Sequence, residues 1–109
     1  MNVKTAFSDG ELTAILSGEI DHHKAREMRR IIDGEAERLH PVYLLLDFGG
    51  VNFMDSSGIG LIMGRYRLMK LLGGYLKVIN IPPHLKRIID LSGVGALGVL
   101  EYKGKELKK

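Results

Sequence analysis

Apolar and polar positions alternate twice near the start of the chain. Val3, Thr5 and Phe7 form one run, and Leu12, Ala14 and Leu16 form the next. Asp9-Gly10 lies between them, a dipeptide that readily takes the positive φ angles of a tight turn, so the pattern predicts a β-hairpin. The period then changes. Ala25, Met28, Ile32, Ala36 and Leu39 recur at helical spacing behind Asp21, which has the chemistry of an N-cap. Gly34 weakens this helix by roughly 1 kcal/mol relative to alanine without abolishing it.

Pro41 ends the helix, and the apolar run Val42–Leu46 follows. A short uninterrupted run between breakers predicts a strand covered on both faces, as in a parallel sheet. After Gly49-Gly50 and a short loop, a second helix begins near Ser56. Its apolar face takes Ile59, Ile62, Met63, Tyr66 and Met69, and Gly73-Gly74 stops it. Tyr75–Ile79 read as a strand. Pro82-Pro83 open a third helix through Ile88, Ile89 and Leu91, since proline suits a first helical turn; Gly93 closes it. Val99–Tyr102 form a short last strand. The order is ββαβαβαβ, which predicts one α/β domain. Its sheet of four to five strands is mixed but mostly parallel, with right-handed crossovers, three to four helices and an N-terminal hairpin.

Composition narrows the function classes. A chain of 109 residues suits one domain, and 45% apolar with 27% charged residues suits a packed core rather than disorder. No apolar run approaches the roughly 18 residues of a membrane span. Met1-Asn2-Val3-Lys4 lacks the apolar stretch of a secretory signal, so a cytoplasmic location is expected. With no cysteine, disulfides and thiolate metal sites are excluded. The net charge of +3 arises from 16 basic and 13 acidic side chains. Lys103, Lys105, Lys108 and Lys109, with Glu106 among them, carry all of the excess, which leaves 12 of each sign in the body. Such a basic tail (103–109, expected to fray) serves solubility, so direct binding to nucleic acid is not expected.

The segment richest in chemistry is Met54-Asp55-Ser56-Ser57-Gly58-Ile59-Gly60. Two serines follow an aspartate where a helix begins, beyond the carboxyl end of a buried strand, the edge where open α/β sheets engage ligands and partners. The plainest role is capping, in which Asp55, Ser56 or Ser57 accepts a bond from an otherwise orphaned amide. With Asp55 as cap, Met54 and Ile59 take the positions of a hydrophobic staple. A second role is compatible with the first. Helix N-termini carry free N–H groups and partial positive charge, so a serine there can bear a phosphate. The neighbouring Asp55 would crowd that phosphate, which a switch tolerates because its two states need only differ.

Asp47 to Tyr66, with Phe53 to Gly60 and Gly64-Arg65-Tyr66 inside it, resembles the phosphorylation segment of STAS-domain anti-sigma factor antagonists. Gly18-Glu19-Ile20-Asp21-His22-His23 resembles a second motif of that family, between the second strand and the first helix, and the Ser92-Gly93 helix end also fits. The pair of motifs is most similar to the sporulation type, the anti-sigma F factor antagonists; antagonists of the general stress type more often have threonine where this chain has Ser57. The resemblance covers nearly the whole chain in matching order and departs from the pattern only in a shorter C-terminal end.

It implies a single STAS domain over 1–109, without cofactor or metal and without enzymatic activity. It implies that the unphosphorylated chain binds an anti-sigma factor and so frees the sigma factor. That anti-sigma factor is a serine kinase which phosphorylates Ser56 and releases itself, and a PP2C-type phosphatase restores the binding form. The partner surface carries Asp21, His22, His23, Asp55, Ser56, Ser57 and Gly58, and the free chain is expected to be monomeric. A general stress or stressosome pathway is the alternative setting for the same switch.

Other readings are weaker. Adjacent histidines on a helix point about 100° apart, so His22 and His23 are poorly placed to share an ion. Gly58, Gly60 and Gly64 do not match a dinucleotide-binding loop, and no P-loop lysine follows; on a helix they are expected to permit close packing on the sheet. A hydrolase elbow needs glycine two residues before the nucleophile, where Met54 stands before Ser56. Nothing pairs His22, His23, His40 or His84 with an orienting acid. Arg65 and Arg67 are expected to be solvated, with pairing to acids on a partner as the alternative for either.

Overall fold

The computed structural model describes residues 2–103. Val3–Ser8 (β1) and Glu11–Ile20 (β2) pair antiparallel across Asp9 and Gly10, whose φ angles of 54° and 79° are both left-handed. A turn with two such residues is of type I′, whose backbone twist matches the right-handed twist of the strands, which is why Asp-Gly occurs there. His22–Leu39 (α1) follows. Its cap is Asp21, whose Oδ1 accepts from the Lys24 N–H at 2.9 Å. The helix ends on His40 in a left-handed conformation, with Pro41 beyond it.

The chain continues through Tyr43–Met54 (β3), Ser56–Leu72 (α2), Tyr75–Ile81 (β4), Lys86–Ser92 (α3) and Leu100–Tyr102 (β5). The expected order ββαβαβαβ holds. The sheet runs β1-β2-β3-β4-β5, with β2 to β5 parallel and the hairpin making it mixed.

Several boundaries differ from the sequence reading. β3 does not end at Leu46 but continues through Gly49-Gly50 to Met54. The reason is its partner: β2 keeps pairing, Ser17 with Gly50, Gly18 with Val51 and Ile20 with Met54, across two register shifts. A Cβ on Gly50 would stand 3.1 Å from the Leu16 carbonyl oxygen, so glycine marks a close approach of strands rather than a loop. β4 likewise reaches Ile81, and β5 begins at Leu100. Pro83 opens a 3-10 turn, and the α-helix starts only at Lys86. The predicted basic tail lies outside the described residues except for Lys103, whose N–H donates to the Ile81 carbonyl at 2.9 Å.

The central strand is not covered on both faces. Neighbouring strands follow each other in chain order, and right-handed crossovers that all step the same way place α1, α2 and α3 on one side. Leu44, Leu46 and Phe48 point into that core, while Tyr43, Leu45 and Asp47 face the open side and are only half-buried. Leu12, Ala14, Leu16 and Ile20 complete the alternation along β2.

The buried face of α2 is also rotated from the predicted one. Gly58, Leu61, Ile62, Arg65 and Met69 are buried, whereas Ile59, Met63 and Tyr66 pack on its margins. Arg65 is therefore not solvated: its side chain is 6% exposed and its Nε stands 2.8 Å from Oδ1 of Asp33 on α1. Burial pushes the Asp33 carboxyl above the ordinary carboxylate range despite Arg65, and lowers the Arg65 guanidinium despite Asp33. Leu91, placed in the third helix, is 78% exposed.

Candidate functional site

β2 and β3 finish together, Ile20 paired with Met54, and the Asp55 N–H donates to the Ile20 carbonyl at 3.2 Å. Each strand then passes through one aspartate in extended conformation and enters a helix. The two sequence motifs, far apart in the chain, thus form neighbouring helix starts at one edge of the sheet.

Asp55 is the cap that the sequence left open among three residues. Its Oδ1 accepts from the Ser57 N–H at 2.8 Å, and its carbonyl accepts from the Gly58 N–H at 3.0 Å. Ser56 is consequently the first helical residue. It is exposed, and its hydroxyl makes no hydrogen bond among the described residues. Ser57 is half-buried. Gly58 is buried, and a Cβ there would come within 2.5 Å of the Met54 sulfur and 3.1 Å of its Cβ, so the helix start sits on the Met54 side chain. Gly60 and Gly64 have open space at the same test, so close packing belongs to Gly58 alone of the three.

On the α1 side, the Lys24 N–H holds the Asp21 carboxyl below its ordinary range. His22 and His23 are both exposed, but they diverge. His22 lines a groove of about 320 Å³ between α1 and α2, with Arg26, Arg29, Ser57, Gly60 and Arg65. His23 turns to a separate recess beside Asn2 and Val3. The structure therefore brings Asp21, His22, His23, Asp55, Ser56, Ser57 and Gly58 to one edge, with the His23 ring 5.9 Å from the His22 ring, edge-on to it, but lining the separate recess. Among the described residues, no three His, Cys, Asp or Glu side chains cluster as metal ligands would, and no helix is long and apolar enough to cross a membrane.

Two arginines of the groove, Arg26 and Arg29, were not singled out from the sequence. Arg26 and Arg29 stand four and seven residues after His22, the spacing that keeps side chains on one helix face, so the signal was present. The sequence reading also missed Phe53, 55% exposed, which with Leu91 borders a recess on the α3 flank of the same edge. Another recess, about 550 Å³ and lined by Tyr43, Tyr66 and Tyr75, lies at the opposite end, where β3 and β4 begin.

A family model for the STAS domain matches residues 2–103. The anti-sigma F factor antagonist of Paenibacillus polymyxa is 39% identical over 94 residues, which span 86% of this chain and 80% of that protein. The chain belongs to the STAS-domain anti-sigma factor antagonists. This STAS domain is also 30% identical to the anti-sigma-B factor antagonist of Bacillus subtilis (strain 168), over 86% of its own length and 84% of the relative's. Among solved structures it is similar to the unphosphorylated anti-sigma factor antagonist SpoIIAA. The TM-score is 0.79 at 25% identity, covering 96% of this chain and 91% of that one. The phosphorylated form of SpoIIAA from Bacillus superposes with a TM-score of 0.72 at the same identity, over 96% of this chain and 95% of that one. The fold and the family expected from the two motifs are thereby borne out.

Proposed function

We propose that the unphosphorylated chain binds an anti-sigma factor of the sporulation sigma-F type through the edge formed by the two helix starts, and so frees the sigma factor. The anti-sigma factor is a serine kinase that transfers the γ-phosphoryl group of ATP to the Ser56 hydroxyl, and a PP2C-type phosphatase removes it. The setting is cytoplasmic. One observation carries the reading: Ser56 stands exposed and unbonded at the first position of α2, while Asp55 alone does the capping. Its hydroxyl can enter another protein's active site without the helix losing its cap.

The same geometry accounts for a switch. Phosphorylation adds a charge of about −1.5 to −2, which the positive end of the helix dipole favours at this position, so the modified chain stays folded. In an interface that charge must be desolvated beside the Asp55 carboxylate. Each loss of about 1.4 kcal/mol lowers affinity tenfold, so a dianion in packed contact is ample to release a partner. The existence of SpoIIAA in a phosphorylated form supports the scheme. Identity to a sigma-B antagonist supports a general stress partner as the second reading, and Ser57, where such antagonists more often have threonine, favours the sporulation type.

Titration against purified anti-sigma factors of both types tests the proposal. Ser56→Ala is expected to bind one of them as the unmodified chain does, and Ser56→Asp to bind it at least about tenfold more weakly. Equal affinity of the two variants would remove charge at Ser56 as the switch.

A further inference from the structure

The groove between α1 and α2 is lined by basic side chains, of which Arg65 is already paired with Asp33 while Arg26 and Arg29 have no carboxylate in hydrogen-bond contact. His22, Arg26, Arg29 and Arg65 line it and no carboxylate does. Of the four acids of α1, Glu27 is engaged by Arg30 at 2.7 Å, Glu35 by Arg38 at 2.7 Å and Asp33 by the groove's own Arg65 at 2.8 Å, Glu37 makes no ion pair among the described residues, and none of the four lines the groove. The polar contact of Arg26 is to His22, 3.2 Å away, which offers no negative charge. Arg29 makes no hydrogen bond or ion pair among the described residues; it stands close enough to the Arg65–Asp33 pair to act on both members, repelling the guanidinium and favouring the carboxylate. Arg26 and Arg29 thus bring two exposed guanidinium groups to the groove without a carboxylate in hydrogen-bond contact, a partner that an anion seated there supplies.

Ser57 and Gly60 form the α2 wall of the groove, so a partner seated over Ser56 also lies over the arginines. We propose that this groove docks an acidic segment of the anti-sigma kinase, with one or two carboxylates held by Arg26 and Arg29. The inference rests on the proposed function and adds the chemistry of the partner. A guanidinium fork matches a carboxylate in two hydrogen bonds, and exposed charges of one sign speed encounter with the opposite one. The arginines therefore orient the kinase, whereas Ser56 decides whether the complex persists.

The test is the association rate of the kinase at low and high salt with the unmodified chain, with Arg26→Gln/Arg29→Gln, and with Arg30→Gln/Arg38→Gln. The last pair removes two arginines of the same helix that are occupied by glutamates. The groove variant is expected to associate roughly tenfold more slowly at low salt, with a shallower salt dependence. The control variant should keep the unmodified rate. All the substitutions are on exposed side chains, and circular dichroism checks that each variant is folded. Groove and unmodified chains with the same rate and salt slope, while Ser56→Asp still weakens binding, would overturn the groove and leave the proposed function standing. Failure of the unmodified chain to bind the kinase would overturn both.

Discussion

Arg65 and Asp33 join the two helices behind the candidate site, and their pairing can be measured by replacing each alone and both together. The Arg65 side chain is 6% exposed, against 29% for Asp33. Beyond the carboxylate, the guanidinium reaches, among the described residues, only the Leu61 carbonyl, at 3.4 Å. The two closest atoms, Nε and Oδ1, are near but not aligned for a hydrogen bond. Asp33→Leu strands a buried cation and should cost about 3 kcal/mol, the lower end of the range for such a loss, because water reaches the Asp33 edge. Arg65→Met leaves a half-exposed carboxylate that can hydrate or protonate, and should cost about 1 kcal/mol. The double variant, apolar on both sides, should lie within about 1 kcal/mol of the parent, giving a coupling near 3 kcal/mol.

The two pKa shifts point the same way, since burial outweighs attraction for each partner. A carboxyl raised in the folded state contributes stability that is complete below its unfolded pKa and is lost as pH rises through its folded value. The parent should therefore show this loss on the alkaline side of about pH 4, and the double variant should not. Urea denaturation of the four proteins across pH provides the assay. Single effects that simply add, or a double variant as unstable as Asp33→Leu, would refute the reasoning.

Three further outcomes follow from the helix starts and the glycines. Asp55→Ala should destabilise by about 1 kcal/mol through loss of the cap, whereas Ser57→Ala should change stability by less than about 0.5 kcal/mol, because Ser57 gives its amide and not its hydroxyl to that cap. Gly58→Ala should cost about 1 kcal/mol net: crowding of Met54 costs about 2, and helix propensity returns about 1. Gly34→Ala has no atom within 4 Å of the new methyl and should stabilise by about 1 kcal/mol. Denaturation midpoints at constant slope check all three, and the same sign for the two glycine variants would contradict the packing.

What the sequence disclosed was local. Asp9-Gly10 announces its own turn, Asp21 announces its own cap, and alternation of strands and helices gives the topology because crossovers have one hand. Features that depend on distant residues were hidden. Gly49-Gly50 reads as a break, yet β2 pairs across it and keeps the strand going to Met54. Arg65 reads as a surface residue of an amphipathic helix, and only the approach of Asp33 from α1 lets it be buried. The face of α2 was rotated for the same reason, since a buried arginine and a buried glycine both look polar or neutral in a hydrophobic pattern. At the site, the aspartates, serines and His22 were legible from two motifs. The arginine groove between them exists only where two helices meet.

The central claim is that Ser56 is the residue switched. Intact mass after incubation with a sporulation anti-sigma factor and ATP, with fragmentation to place any phosphate, tests it most directly. The account predicts one phosphate, on Ser56, in the parent and in Ser57→Ala, and none in Ser56→Ala. A phosphate on Ser57, or no added mass from a kinase active on its own antagonist, would contradict it.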